Sequence, residues 1–379
     1  MMLHRLFKPN KWNPDLLQNR LLLWNSQRNC SKKPKKVYPK KIFSGIQPTG
    51  TMHLGNYAGA IKNWVDLQNK GEDVIWSIVD MHSITLPYNP SELKENVFKL
   101  TATLLACGID PEKSILFQQS SIPMHAELSW IFACLATMPR LSHQPQFKEK
   151  SEKLKDVPLG LYIYPILQTA DILLYKATHV PVGDDQLQHI QLSAHLAQKF
   201  NSTYGETFPM PQAILNSTGR IKSLRDPTEK MSKSSNNVKS RIDLSDTPDI
   251  LLNKIKKAVT DFKSEVTYEP DSRPGVANLI NIHSLISGKT PDEICTQAQN
   301  LDTGKYKLLL ADLVIEKLNP IRKRINEYLQ DYNYLQQVLK IGASKAETIA
   351  MTNWLEVRNK VGYGVDTLTS NVHKLNLKS

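Results

Sequence analysis

Cysteine is scarce in this chain of 379 residues: Cys30, Cys107, Cys134 and Cys295 lie far apart, with no Cys-x-x-Cys pair. This spacing argues against a cysteine zinc site and against a disulfide framework. Because Cys107 and Cys134 fall in apolar helical sequence, we expect both to be buried small hydrophobic residues, in a protein from a reducing compartment. No apolar run approaches the length needed to cross a membrane, and no internal repeat is present.

Acidic residues are almost missing from the first 41 residues, which hold eleven lysines and arginines against Asp15 alone. This segment carries +10 of the net charge of +12, and the remainder has 37 basic and 35 acidic residues. A basic, nearly acid-free leader with an apolar patch at 16–24 is typical of a mitochondrial targeting presequence. The alternative is a basic tail that touches RNA. We therefore predict a presequence at 1–36 and a location in the mitochondrial matrix.

Strand-length apolar runs alternate with helical patterns from residue 42 to about 140. The run at 74–79 has the length of a buried strand, the pattern at 90–108 is helical, and 114–117 is the next strand. This alternation predicts a parallel sheet covered by helices, with a ligand crevice at the carboxyl ends of the strands. After residue 241 the pattern is helical only, and it includes a long amphipathic helix at 305–329.

A short polar segment at 230–234 has the sequence Lys-Met-Ser-Lys-Ser. Its two ammonium groups and two hydroxyls suit a polyphosphate, because lysine carries a mobile point charge and serine adds donors without bulk. On its own, such a run is more often a solvated loop.

A strand, a glycine-bearing loop and a helix N-terminus follow one another between residues 41 and 70. The loop contains Gly45, Gly50 and Gly55, and it ends in the sequence His53-Leu54-Gly55-Asn56. This order presents unpaired backbone N–H groups and the positive end of a helix dipole to an anion, while glycine lets the backbone approach closely. An ordinary strand-to-helix turn is the alternative for this motif alone. The lysine segment favours the anion-binding interpretation.

The two motifs together resemble the two signatures of class I aminoacyl-tRNA synthetases, and the residues around them resemble the tryptophanyl-tRNA synthetases. The resemblance extends from about residue 42 into the C-terminal helices. The matching stretches occur in the order 44–50, 78–85, 146–151, 164–165, 170–175, 180–186 and 230–234.

The resemblance implies an α/β fold, a Rossmann-like parallel sheet with an inserted helical segment and a C-terminal all-α domain. We place the catalytic domain at 37–240 and a tRNA anticodon-binding domain at 241–379. An insertion at about 141–178 would carry much of the amino-acid pocket and a homodimer interface.

The activity implied by the resemblance is the ATP-dependent activation of tryptophan, with release of pyrophosphate, and its transfer to mitochondrial tRNA(Trp). Mg²⁺ would be held through the phosphates, and no side chain is expected to ligate a metal. Lys148 and Lys150 match family lysines that reach phosphates, and their alternative is a solvated surface. The residues implied to bind ATP or to catalyse are Gln47, His53, Gly55, Asn56, Lys148, Lys150, Gly183, Asp185, Lys230, Met231, Ser232, Lys233 and Ser234. Within this set, the residues implied to take part in catalysis are Gln47, Lys150, Lys230, Lys233 and Ser234.

Asp171 is the candidate for recognition of the indole ring. It lies in the apolar sequence 166–174, where a carboxylate is costly unless it is paired. The resemblance implies that it accepts the indole N–H, and the alternative is structural pairing with a lysine or histidine. The rest of the tryptophan pocket is implied to be Phe43, Gly45, His82, Tyr164, Val180, Val182 and Gln186. Gln168 stands where many family members carry methionine, so its contact with the indole is left open.

Three alternatives bear on this interpretation. The nearest is a tyrosyl-tRNA synthetase, but those enzymes usually have a Gly-Ser-Asp-Gln-Trp-like stretch where this chain has Gly-Asp-Asp-Gln-Leu at 183–187. The second is an RNA-structure-binding protein that retains the fold, against which the two intact signatures argue. A small-molecule adenylyltransferase would leave the helical C-terminal region unexplained.

Overall fold

A computed structural model describes residues 36–144, 154–215, 221–233, 235 and 237–363, and the strands and helices below are numbered within these ranges. Contacts divide the chain into two units, 1–37 and 38–379. The second unit contains every element described here. The predicted presequence lies outside the described residues, apart from Lys36.

A five-stranded parallel sheet forms the centre of this unit. The strand order is β3-β2-β1-β4-β5, which confirms the predicted parallel sheet. The strands are β1 Ile42–Ile46, β2 Val74–Ile78, β3 Ile115–Gln118, β4 His179–Val182 and β5 Gln212–Leu215. Every residue of β2 is buried, as expected for a parallel strand covered on both faces. The order reverses direction between β1 and β4, and the carboxyl ends of these two strands therefore flank the crevice where such folds bind ligands.

The first group of helices follows the strands in sequence. These helices are α1 Leu54–Asn56, α2 Lys62–Asn69, α3 Asp80–Ser83, α4 Pro90–Ala106, α5 Met124–Leu135, α6 Met138–Ser142, α7 Leu159–Leu174 and α8 Leu187–Tyr204. A π-helical turn at Tyr57–Ile61 joins α1 to α2. The side chain of Asn89 caps α4 by accepting from the N–H groups of Ser91 and Glu92.

The chain beyond residue 241 is helical, as predicted, with α9 Pro248–Lys256, α10 Pro274–Ser287, α11 Pro291–Gln297, α12 Thr303–Gln330 and α13 Tyr332–Val361. The α10 helix ends at Gly288, whose φ of 77° is the left-handed conformation that glycine adopts without strain. Thr290 and Glu293 form a reciprocal capping box at the start of α11. None of the helices described in these ranges is long and apolar enough to cross a membrane.

The last helix, α13, returns to the sheet and packs against β3. A Cβ added at Gly342 would lie 1.8 Å from the carbonyl oxygen of Leu116, so glycine is what allows the helix backbone this close to the strand. Further along α13, Ala350 and Trp354 share a hydrophobic core with Phe117 of β3. The α13 helix is therefore part of the hydrophobic core that covers the sheet. The domain boundary at 240 stays a prediction.

The expectation that Cys107 and Cys134 are both buried is wrong for Cys134, which is exposed, while Cys107 is partly buried. The α5 helix is apolar on nearly all sides, so its sequence does not show which face is inside. Leu128 and Phe132 are buried, whereas Trp130 and Cys134 lie one turn apart on the exposed side.

Candidate functional site

A cavity of about 320 Å³ opens at the carboxyl ends of β1 and β4 and is also lined by α7. All eight residues predicted to bind the amino acid line it, namely Phe43, Gly45, His82, Tyr164, Asp171, Val180, Val182 and Gln186. Gln47 and Gly183, predicted to bind ATP, line the same cavity, as does Gln168. Residues far apart in sequence thus meet where the strand order reverses, as the fold class predicts.

Asp171 is 2 % exposed and accepts hydrogen bonds from side chains of three other elements. His82 Nε2 lies 2.7 Å from Oδ2, and both His125 Nδ1 and Gln119 Nε2 lie 2.7 Å from Oδ1. Burial alone would raise the pKa of this carboxyl, but the hydrogen bonds and charges of His125 and His82 outweigh it and hold the pKa below its usual range. Asp171 is therefore an ionised, fully buried group that is paired with histidine and also lines the cavity.

Polar side chains cluster at a second part of the cavity. The Tyr164 hydroxyl lies 3.3 Å from His189 Nε2, and His189 Nδ1 lies 2.8 Å from Gln186 Oε1. Gln168 Nε2 donates to the same Gln186 oxygen at 3.4 Å, which places Gln168 beside the polar group. Burial, with the charge of Asp185, raises the pKa of Tyr164 to about 12, so its hydroxyl stays neutral. These oxygen atoms are suited to accept from a substrate ammonium group.

The first signature is held at the start of α1. His53 is buried, and its backbone N–H donates to Asn56 Oδ1 at 3.2 Å. The ring atom Nδ1 of His53 has no hydrogen-bond partner among the described residues. Burial and the charges of Lys233, Arg241 and Lys230 lower the pKa of His53 to about 3, so the ring is neutral at pH 7. Because the ring of His53 is neutral, it adds no repulsion to these three cations, and their positive charge can attract an anion.

The lysine segment lies against the first signature. A Cβ added at Gly55 would lie 3.0 Å from the His53 ring and 3.7 Å from Met231 Cβ. Glycine at this position therefore lets the two motifs approach closely. Lys230 and Ser232 line a separate polar cavity of about 380 Å³, together with Ser223, Glu229, Ser235 and Ser240.

Arg241 and Asp243 support this arrangement, and the sequence alone did not mark either of them. Burial lowers the pKa of Lys233 to about 8, with Asp243 opposing the shift and Arg241 adding to it. Arg241 Nε donates to Asp243 Oδ1 at 3.0 Å, and its Nη1 donates to the carbonyl of Ser235 at 3.2 Å. Leu54 N–H donates to the carbonyl of residue 242 at 2.8 Å, so this strand-like segment reaches the first signature.

Lys148, Lys150 and Ser234 lie outside the described residues. Within the parts of the chain that are described, no group of three or more histidine, cysteine, aspartate or glutamate side chains could hold a metal ion. The site offers the ammonium groups of Lys230 and Lys233 to an anion, and the Asp171 carboxylate to a hydrogen-bond donor. The prediction of unpaired backbone N–H groups at the start of α1 is wrong for Leu54, which donates to the carbonyl of residue 242, and for Asn56 and Tyr57, which donate to the carbonyl of His53.

The sequence profile of a family described as tRNA synthetases class I (W and Y) matches residues 35–319. The chain belongs to this family. The tryptophan–tRNA ligase of Caldanaerobacter subterraneus subsp. tengcongensis is 44 % identical over 324 residues, which cover 85 % of this chain and 98 % of that protein.

Solved structures of the family show the same fold. The tryptophanyl-tRNA synthetase of Mycoplasma pneumoniae superposes with a TM-score of 0.79 at 31 % identity, covering 87 % of this chain and all of that one. That of Campylobacter jejuni, complexed with ADP and tryptophan, has a TM-score of 0.75 at 32 % identity, covering 85 % of this chain and 99 % of that one. Membership of the family confirms the class I synthetase resemblance of the two signatures.

Proposed function

We propose that this protein is a tryptophan–tRNA ligase, which activates L-tryptophan with ATP and transfers it to tRNA(Trp). The observation that carries the proposal is the cavity at the carboxyl ends of β1 and β4, where an ionised and buried Asp171 faces a space otherwise lined largely by apolar and aromatic groups. An indole N–H is a donor and has no acceptor, so a buried carboxylate matches it. The close relatives named as tryptophan–tRNA ligases support the same substrate.

The first step joins the substrate carboxylate to the α-phosphate and releases pyrophosphate. The carboxylate is already ionised at neutral pH, so this step needs no general base. Catalysis then depends on alignment and on neutralising the charge of the leaving pyrophosphate. Lys230 and Lys233 supply that charge in this proposal.

ATP would lie across the two signatures, with its phosphates between the start of α1 and the lysine segment. Mg²⁺ would be held by phosphate oxygens and water, since it keeps several waters in nucleotide sites and the described residues offer no side-chain cluster for it. It would neutralise phosphate charge in the activation step.

A homodimer is the proposed assembly, and the exposed apolar side chains of α5, α6 and α7 support it. Trp130 is 66 % exposed, Met138 and Leu159 are each 69 % exposed, and Ile163 is 38 % exposed. The α6 and α7 helices are adjacent, since the Tyr162 hydroxyl donates to the Met138 carbonyl at 2.6 Å, and α5 also packs against α7. Burial of such a face against a second copy would remove it from water. In sedimentation equilibrium we expect the wild type to be a dimer and Trp130→Asp to be a monomer, and a monomeric wild type would refute this assembly.

A location in the mitochondrial matrix is proposed from the basic leader at 1–36 alone, because the relatives named above are bacterial. Residues 1–36 fused to a fluorescent protein should direct it to mitochondria, and a diffuse signal would oppose the proposal.

Aminoacylation tests the whole activity. The purified protein should charge tRNA(Trp) with labelled tryptophan in the presence of ATP and Mg²⁺, and should leave tRNA(Tyr) uncharged with tyrosine. Charging with tyrosine, or none with either, would refute the proposed function.

A further inference from the structure

A chain of hydrogen bonds leads from Asp171 into the interior of the protein. His125 Nδ1 lies 2.7 Å from Asp171 Oδ1, and His125 Nε2 lies 2.9 Å from the hydroxyl of Tyr175. His125 and Tyr175 are both fully buried. Neither belongs to the described residues that line the cavity. The proposed activity therefore gives them no direct contact with a substrate.

The chemistry of the groups fixes the hydrogen atoms of this chain. A carboxylate only accepts, so His125 carries a hydrogen on Nδ1. Burial and the charge of Asp171 raise the pKa of Tyr175 well above its usual value, so its hydroxyl keeps its proton at the far end of this chain. Hydrogen bonds at its two ring nitrogens thus hold the His125 ring in one orientation.

The acceptor capacity of Asp171 is divided unequally between its two oxygens. Oδ1 accepts from both His125 and Gln119. The orientation of the Gln119 amide is itself set, because the Met81 N–H donates to its Oε1 at 3.1 Å. Oδ2 accepts only from His82 among the described residues. Each carboxylate oxygen has about two lone-pair sites, so Oδ1 is filled and one site remains on Oδ2.

We propose that His125 is a positioning residue, which occupies Oδ1 of Asp171 and so directs the free site of Oδ2 into the cavity, where it selects side chains with a ring N–H donor. This inference rests on the proposed function. His125 would act through Asp171 without touching the substrate. Without the His125 side chain, the Asp171 carboxylate could rotate and direct its acceptor sites elsewhere. The preference for substrates with a ring N–H would then fall more than the affinity for the apolar part of the substrate.

The test compares His125→Phe, which keeps a ring and removes both nitrogens, with His125→Asn, whose amide N–H can replace the Nδ1 donor. The measurement is ATP–pyrophosphate exchange with tryptophan and with its benzothienyl analogue, in which sulfur replaces the indole N–H. We expect the ratio of kcat/KM for the two substrates to fall by about 10- to 100-fold in His125→Phe, the range for a hydrogen bond to a charged group, and to recover largely in His125→Asn.

His283→Phe is the matched control. His283 is also buried, and its Nδ1 lies 3.2 Å from the hydroxyl of Tyr306, but it lines neither cavity described above. Its substrate ratio should equal that of the wild type. If His125→Phe does not fold, His125→Met takes its place, since methionine also lacks a donor and adapts to irregular space.

An unchanged substrate ratio in a folded donor-free variant would overturn the inference, as would equal losses for both substrates that His125→Asn fails to restore. A wild type without tryptophan-dependent exchange would instead refute the proposed function, so the two failures are distinguishable.

Discussion

Asp171 holds a negative charge although its side chain is almost fully buried, and three side-chain donors compensate the cost of burying it. An apolar slot separates similar aromatic substrates weakly, whereas a buried acceptor left unpaired strongly penalises a substrate without the donor. The proposed selectivity for tryptophan therefore depends on the charged carboxylate of Asp171.

Asp171→Asn removes this charge with little change in shape. We expect tryptophan activation to fall and the tryptophan-to-phenylalanine ratio of kcat/KM to decrease by at least about tenfold, because a hydrogen bond to a charged group is lost. Exchange kinetics with both amino acids measure the ratio, and circular dichroism checks the fold. A folded variant with the wild-type ratio would mean that the role of Asp171 is structural.

We expect Lys233 to give the proposed reaction a dependence on pH. With a pKa of about 8, Lys233 of the free protein loses its positive charge as the pH rises through 8. The neutral amine would bind phosphate more weakly than the ammonium group does. We expect kcat/KM for ATP to decline above pH 8 in the wild type, because this parameter reports the free enzyme. Arginine keeps its charge at high pH, so the decline of kcat/KM above pH 8 should be absent in Lys233→Arg. Identical alkaline limbs in both proteins would rule out Lys233 as the titrating group.

Much of the site could be predicted at the residue level, because the resemblance rests on short stretches that contain the lining residues. The eight residues predicted for the amino-acid pocket do line one cavity. Gln119, His125 and Arg241 were missed. Gln119 and His125 are 52 and 46 residues from Asp171 in sequence, so no local pattern shows that their side chains will meet it. Arg241 is close in sequence to its partners Asp243 and Ser235, but a lone arginine in a polar stretch gives no sign of such a role.

At the scale of elements, periodicity predicted the strands β1, β2 and β3 and the long helix α12, but it did not identify β4 or β5. It did not predict the π-helical turn at Tyr57–Ile61, whose apolar residues fit an ordinary helix equally well. It also did not predict that α13 returns to the sheet. That packing depends on a long-range contact between Gly342 and Leu116, which no local pattern encodes.

Gly342→Ala tests the packing of α13 on β3. The added methyl would meet the Leu116 carbonyl at 1.8 Å, so helix and strand must separate. We expect a loss of at least about 2 kcal/mol in the free energy of unfolding, visible as a lower Tm. Gly160→Ala in α7 is the matched control, because its methyl would meet only Thr85 at ordinary contact distance of 3.7 Å. Equal Tm values for the two variants would show that α13 does not approach β3 so closely.

At the scale of the whole molecule, the net positive charge of the chain is concentrated in the first 41 residues. Only +2 of the net charge of +12 remains beyond residue 41, so residues 42–379 do not carry a large basic excess. The basic leader and the described unit therefore have different roles in the proposal, one in targeting and the other in catalysis.

A chain that begins at Val37 should fold and aminoacylate at the wild-type rate, because β1 begins at Ile42. The measurement is charging of tRNA(Trp), with adenylate formation assayed in parallel. Loss of charging with intact adenylate formation would identify the leader as an RNA-binding arm instead of a presequence.

The most direct test of the whole account is ATP–pyrophosphate exchange measured with each of the twenty amino acids in turn. It requires both a working nucleotide site and a specific amino-acid pocket, and it needs no tRNA. The account predicts exchange that depends on Mg²⁺ and is driven by L-tryptophan far better than by any other amino acid. Exchange driven best by tyrosine, or by none of the twenty, would contradict it.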